Sequence, residues 1–110
     1  MARRPLRSKA VMINGVKVPF IISYPKAYAM STGDLTCPTT NGMYICPDVE
    51  GDIKVLTLGA YEQNDGVIDN DHAITLYGRP GGVWDSTPVI KIYETGTTAV
   101  NINYQEIDYI

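Results

Sequence analysis

Residues 88–104 read PVIKIYETGTTAVNINY, and the period of this stretch decides the fold class. Side chains alternate along an extended chain, so Ile90 and Ile92 point one way while Val89, Lys91 and Tyr93 point the other. Beyond a small-residue turn at Gly96, Thr98, Val100, Ile102 and Tyr104 share a face opposite Ala99, Asn101 and Asn103. A half-buried antiparallel strand needs this period of two. Residues 91–104 therefore predict a β-hairpin, and the alternating tail QEIDYI (105–110) predicts a further short edge strand.

Working outward, GRPGGVWDSTP (78–88) reads as a Gly- and Pro-rich connection. It lacks the Lys-Ser/Thr pair and the following helix that a phosphate-cradling loop requires. Trp84 is expected to anchor the core, because a large aromatic side chain gains most from burial. GDIKVLTLG (51–59) predicts one strand, with Ile53, Val55 and Thr57 on one face and Lys54, Leu56 and Leu58 on the other. Apolar residues on both sides imply that both faces are covered, or that one meets another subunit. MYIC (43–46) predicts a short strand, and residues 24–42 an extended crossing in which KAYAM forms at most one helical turn. Near the start, Asn14-Gly15 lies between Val11–Ile13 and Val16–Ile22, a strong hairpin signal. Pro19 cannot donate to a sheet ladder, which places the second arm at an edge or on a bulge.

The composition agrees with this reading. Eight Tyr, ten Gly and seven Pro, with abundant Val, Ile and Thr, suit pleated surfaces and the turns between them. The 110 residues predict an all-β fold, an antiparallel β-sandwich or β-barrel of about seven or eight short strands. A single domain over 11–110 follows a basic arm over 1–10. Four of the nine basic residues, Arg3, Arg4, Arg7 and Lys9, fall in that arm. From residue 10 onward five basic residues face twelve acidic ones, leaving the body at −7. A basic arm on an acidic body points to a negative partner surface. An acidic body argues against direct nucleic-acid binding, which needs an extended positive face. No apolar run approaches the length of a membrane-spanning helix, and Asn14, Gly15 and Lys17 break the N-terminal apolar run that a signal peptide would need.

Few residues offer chemistry. Asp65, Asp69, Asn70 and Asp71 crowd together, yet Gly66 follows the first Asp directly, unlike the calcium loop spacing D-x-[DN]-x-[DN]-G. Asp65-Gly66 reads better as a hairpin turn, and 69–71 as a second turn before the strand AITLY (73–77). Cys37 and Cys46 bracket CPTTNGMYIC, whose Asn41-Gly42 turn could bring the sulfurs together. They pair in an oxidising compartment or stay as buried thiols. Two Cys and the distant His72 are too few ligands for structural zinc. His72 is the single histidine, no G-x-S-x-G elbow occurs, and neither Cys sits in a catalytic signature. Carboxylate pairs for glycoside chemistry would need a cleft of roughly 300 Å³, for which so small a β-domain offers little room. No catalytic residue, metal or cofactor is expected.

Four segments in order, TTNGMYIC, EGDIKVLTLG, GRPGGVWDSTPVIKIYE and TGTTAVNI, cover about residues 39–102. In this order they resemble the head decoration and spike-base proteins of tailed bacteriophages and related gene-transfer particles. The acidic stretch 62–72 and the N-terminal hairpin have no counterpart in the resemblance. It implies a non-enzymatic virion protein, made in the host cytoplasm and assembled on the capsid exterior as a trimer or pentamer. The major capsid protein would be its partner, with no membrane and no direct nucleic-acid contact. The basic arm, Arg3, Arg4, Arg7 and Lys9, would then lie against an acidic patch of the capsid shell. Two other functions fit a small β-domain. One is a carbohydrate- or receptor-binding module, whose mark would be exposure of Trp84 and Tyr77. The other is a subunit of a β-rich extracellular filament, joined through an edge strand.

Overall fold

A computed structural model describes residues 12–13, 16–17 and 19–109 of the chain. The basic arm with Arg3, Arg4, Arg7 and Lys9, and the Asn14-Gly15 turn, lie outside the described residues. The fold is all-β and antiparallel, with one curled, half-barrel sheet carrying a single short α-helix among the described residues. A two-stranded ribbon, β1 (Met12–Ile13) and β2 (Val16–Lys17), precedes it, paired as expected on either side of Asn14-Gly15. The sheet contains β3 (Pro19–Ile21), β4 (Lys26–Ala29), β5 (Leu35–Thr36), β6 (Met43–Pro47) and β7 (Gly51–Thr57). After helix α1 (Leu58–Gln63) come β8 (Ile74–Arg79), β9 (Val89–Tyr93) and β10 (Asn101–Tyr109). Their order across the sheet is β3-β10-β6-β9-β7-β8, with β4 also on β10 and β5 also on β9.

The patterned strands form the core. Ile53, Val55, Leu56, Ile90 and Ile92 of β7 and β9 are all fully or almost fully buried, so both faces of these neighbouring strands are covered. Ile45 and Met43 of β6 and Ile102 and Ile107 of β10 complete it. Pro19 sits as expected on a margin, because β3 pairs with β10 alone among the described strands.

The hairpin expected over 91–104 does not form. β9 and β10 are both present, but β6 lies between them. The connection, residues 94–100, exceeds the two to five residues of a tight hairpin, so nothing forces its flanking strands together. The TGTT segment instead continues the edge of β7 where β9 stops, since Lys54↔Tyr93 is the last register pair between them. The Thr97 hydroxyl accepts from the Lys54 N–H at 2.9 Å, and the Thr98 hydroxyl from the Asp52 N–H at 2.9 Å. The Thr98 N–H donates to the Asp52 carbonyl at 2.9 Å. Two hydroxyls thus replace missing ladder acceptors. A Cβ on Gly51 would lie 2.9 Å from the Ala99 nitrogen, so the close approach of the two chains requires glycine there. Thr97→Val, which keeps the shape but removes the acceptor, is expected to lower stability by about 1 kcal/mol. It should also speed hydrogen exchange at the Lys54 amide while leaving more distant amides unchanged.

Four further expectations are corrected. The tail 105–110 is no separate edge strand: residues to Tyr109 continue β10, which has β6 on one side and β4 then β3 on the other. The crossing 24–42 contains two short strands, β4 and β5, separated by a 3-10 turn at Met30–Thr32. The strand at 51–59 stops at Thr57, whose hydroxyl caps α1 by accepting from the Ala60 N–H at 3.2 Å. Asp65 and Gly66, with φ of 56° and 73°, terminate this helix rather than turning a hairpin. The Gly66 N–H reaches back to the Tyr61 carbonyl at 3.0 Å, satisfying an orphan acceptor of the last turn.

Candidate functional site

Histidine, cysteine and the acidic loop are spoken for structurally. Asp69 Oδ1 accepts from the Asp71 N–H at 3.0 Å, and Asn64 Nδ2 donates to the Val67 carbonyl at 3.0 Å, so the loop is held by its own polar side chains. Its 69–71 segment turns as expected, as a 3-10 turn over Asn70–His72. His72 Nε2 stands 3.9 Å from Asp69 Oδ2. No group of three or more His, Cys, Asp or Glu side chains suited to a metal occurs among the described residues. Cys37 and Cys46 are unpaired thiols, 2% and 4% exposed. Cys37 belongs to the core cluster with Ile45, whereas Cys46 alternates onto the opposite face of β6. Burial, with Asp48 adding repulsion, raises the Cys46 thiol above its ordinary pKa and makes it a weaker nucleophile.

One tyrosine ties the acidic loop to the sheet. Tyr93 of β9 donates its hydroxyl to Asn70 Oδ1 at 2.8 Å. Burial raises its pKa above the ordinary value, with Asp34 and Asp69 adding to the shift. The unfolded chain then ionises this phenol before the folded one does. Stability from the neutral phenol is present below about pH 10 and is lost as pH rises through the folded pKa. Tyr93→Phe should cost about 0.5–1.5 kcal/mol at neutral pH. The same variant should lose less stability than the parent between neutral and strongly alkaline pH, read by urea unfolding at each pH. On β4, Lys26 donates to Glu106 Oε2 at 2.8 Å, and that hydrogen bond with its charge raises the lysine pKa.

The connection between β8 and β9 holds the most open chemistry. Trp84 does not anchor the core: it is 39% exposed, and Tyr77 on β8 is 76% exposed. The loop instead lays its backbone along β6 and the turn that follows it. A Cβ on Gly81 would stand 2.7 Å from the Asp48 carbonyl oxygen and 2.9 Å from the Val49 Cα. Two backbone hydrogen bonds bracket Trp84: the Gly82 N–H donates to the Pro47 carbonyl and the Asp85 N–H to the Ile45 carbonyl, both at 2.8 Å. Asp85 Oδ1 accepts from the Thr87 N–H at 3.0 Å, and its Oδ2 pairs with Arg79 Nε at 3.2 Å. The loop is therefore pinned on both sides of its tryptophan.

Beside Trp84 opens a cleft of about 370 Å³, lined by Ile21, Tyr44, Trp84, Asp85, Ser86 and Gln105. Its volume falls within the range of small-molecule sites, against the expectation that so small a domain leaves little room for one. Tyr44 and Gln105 are direct cross-strand partners of β6 and β10, so both side chains leave the same face of the sheet. Trp84, Asp85 and Ser86 of the loop complete the lining with Ile21. The sequence reading named Trp84 and overlooked Tyr44 and Gln105, which stand far apart along the chain and meet only through strand pairing. Among the described residues no helix is long and apolar enough to cross a membrane. Compared with known protein families, curated proteins and solved structures, the chain matches none.

Proposed function

We propose that the chain is a non-enzymatic structural virion protein that decorates or cements a tailed-phage capsid or forms the base of a head spike. In this reading it sits on the capsid exterior, with the major capsid protein and further copies of itself as partners. The observation that carries the reading is the margin formed by β8. Among the described strands β8 pairs with β7 alone, which leaves a row of backbone donors and acceptors on its outer side. Ile74 and Tyr77 on this strand are 50% and 76% exposed. An open edge with apolar side chains suits assembly between protomers, and tyrosine is enriched in such contacts. Light scattering on a sizing column should return a discrete trimer or pentamer, and Ile74→Lys should reduce it to monomer. A strict monomer that also fails to bind purified capsids would reject the reading, and an open ladder of polymers would favour a filament.

A second reading, a carbohydrate- or receptor-binding module, is favoured by the exposure of Trp84 and Tyr77 around the Gly-rich loop. Structural proteins gain little from an uncovered tryptophan held in a pinned loop.

A further inference from the structure

We infer that the cleft between Trp84 and the Tyr44–Gln105 pair is a binding site for an uncharged saccharide ring. The inference rests on the second reading above and gives it a location and a ligand class. Three observations carry it.

The cleft is lined by aromatic side chains from two elements. Trp84 stands on the loop and Tyr44 on the sheet, with Ile21 adding apolar surface. The C–H face of a sugar ring is apolar, and an aromatic plane is its natural counterpart, because amphipathic rings bury one surface while leaving the polar rim free.

The remaining side chains supply uncommitted, neutral polar groups. Among the described residues the Trp84 indole N–H, the Ser86 hydroxyl, the Tyr44 hydroxyl and the Gln105 amide make no intramolecular hydrogen bond. Together they offer donors and acceptors in close company, and the glutamine amide carries both kinds. Adjacent ring hydroxyls, each a donor and an acceptor, match that set. Charge at the cleft is cancelled, because the Asp85 carboxylate is engaged by Arg79 at 3.2 Å. A phosphate or a carboxylate would find no free cation among the lining side chains, and an amine no free anion. The neutral hydroxylated ligand is the one these groups serve.

The site is also held in shape before any ligand arrives. Hydrogen bonds from Gly82 and Asp85 to β6 fix the loop on either side of Trp84, and the register Gln105↔Tyr44 fixes the sheet wall. Preorganisation of this kind reduces the ordering cost of binding. The volume of about 370 Å³ sits at the small end of ligand sites, which suits one or two rings rather than a long chain in a groove.

The test is a titration of the full chain with the methyl glycosides of glucose, galactose, mannose and N-acetylglucosamine. It is followed by tryptophan fluorescence and by amide chemical shifts, and Trp84 is the single tryptophan. At least one glycoside should bind with a dissociation constant on the order of 1 mM, shifting the signals of Trp84, Ser86 and Gln105. Trp84→Ala should weaken binding about 30-fold or more, as for an aromatic anchor. Gln105→Leu, which keeps bulk but not hydrogen bonding, should weaken it about two- to tenfold. Tyr77→Ala should leave the affinity unchanged. Binding that shifts signals around Tyr77 instead, or survives both cleft variants, would overturn the site while keeping the binding-module reading. Failure of all four glycosides to bind would overturn the site, and a receptor-binding module would then be tested separately by capture on host cell surfaces. A preference for glucuronate or glucosamine over the neutral sugars would overturn the ligand class.

Discussion

Ile92→Ala should lower the free energy of unfolding by about 2–5 kcal/mol, measured by urea denaturation. Ile92 is fully buried in β9, opposite Val55 of β7 on one side and Leu35 of β5 on the other. The truncation removes three heavy atoms from a position where strands on both sides prevent collapse, so the cavity term adds to the lost transfer energy. Domains of this size hold about 5–15 kcal/mol in total, so the variant would give up a large share of its stability. Ile74→Ala on β8 is the control. The same residue type, half exposed in the single chain and at the margin of the same sheet, should cost no more than about 0.5 kcal/mol at a dilution where the protein is monomeric. At concentrations where protomers assemble through this edge, the loss at Ile74 should grow.

Gly81→Ala is the second large effect, expected at about 1–3 kcal/mol. Its added methyl would meet the Asp48 carbonyl oxygen at 2.7 Å and the Val49 Cα at 2.9 Å. Both are backbone atoms, so no side chain can swing aside to relieve the clash. The loop would have to lift from β6, stretching the Gly82 and Asp85 hydrogen bonds that bracket Trp84. The fluorescence of Trp84 should therefore change while far-ultraviolet circular dichroism stays close to that of the parent. Gly59→Ala makes a clean comparison, because a Cβ there meets nothing within 4 Å and glycine is a poor helix former. A neutral Gly81→Ala would show that the loop does not press on the 48–49 turn.

These predictions separate what local sequence can express from what only the fold supplies. Strand identity was legible wherever both alternating faces had to be buried, as in Ile53–Leu56 and Val89–Ile92. Partner choice was not, because the alternation of 88–104 says which side of a strand faces inward and nothing about its neighbour. A seven-residue gap from 94 to 100 leaves that choice to packing, and β6 takes the place that a hairpin would have given to β10. Asp65-Gly66 misled for a related reason: tolerance of positive φ serves a helix exit as well as a hairpin. Thr57 carried a readable signal for α1, since a threonine capping the third residue beyond it is a common helix start. The cleft was half visible. Trp84 stood out as the single tryptophan, but that its loop is pinned to β6 with the indole part-exposed is a three-dimensional fact. Tyr44 and Gln105 carry no mark in their own neighbourhoods.

The insertion of β10 beside strands made much earlier has a kinetic consequence. Glu106 donates its backbone N–H to the Ser23 hydroxyl across 83 residues of chain, and Lys26 reaches Glu106 across 80. β3, β4 and β6 all take β10 as a partner, so the first half of the sheet has no complete ladder until residues 101–109 have left the ribosome. Sheets closed by such distant pairings fold in milliseconds to seconds rather than microseconds. During synthesis β3 and β4 wait as unpaired strands, and a chain that stops at residue 100 should stay unfolded and bind chaperones.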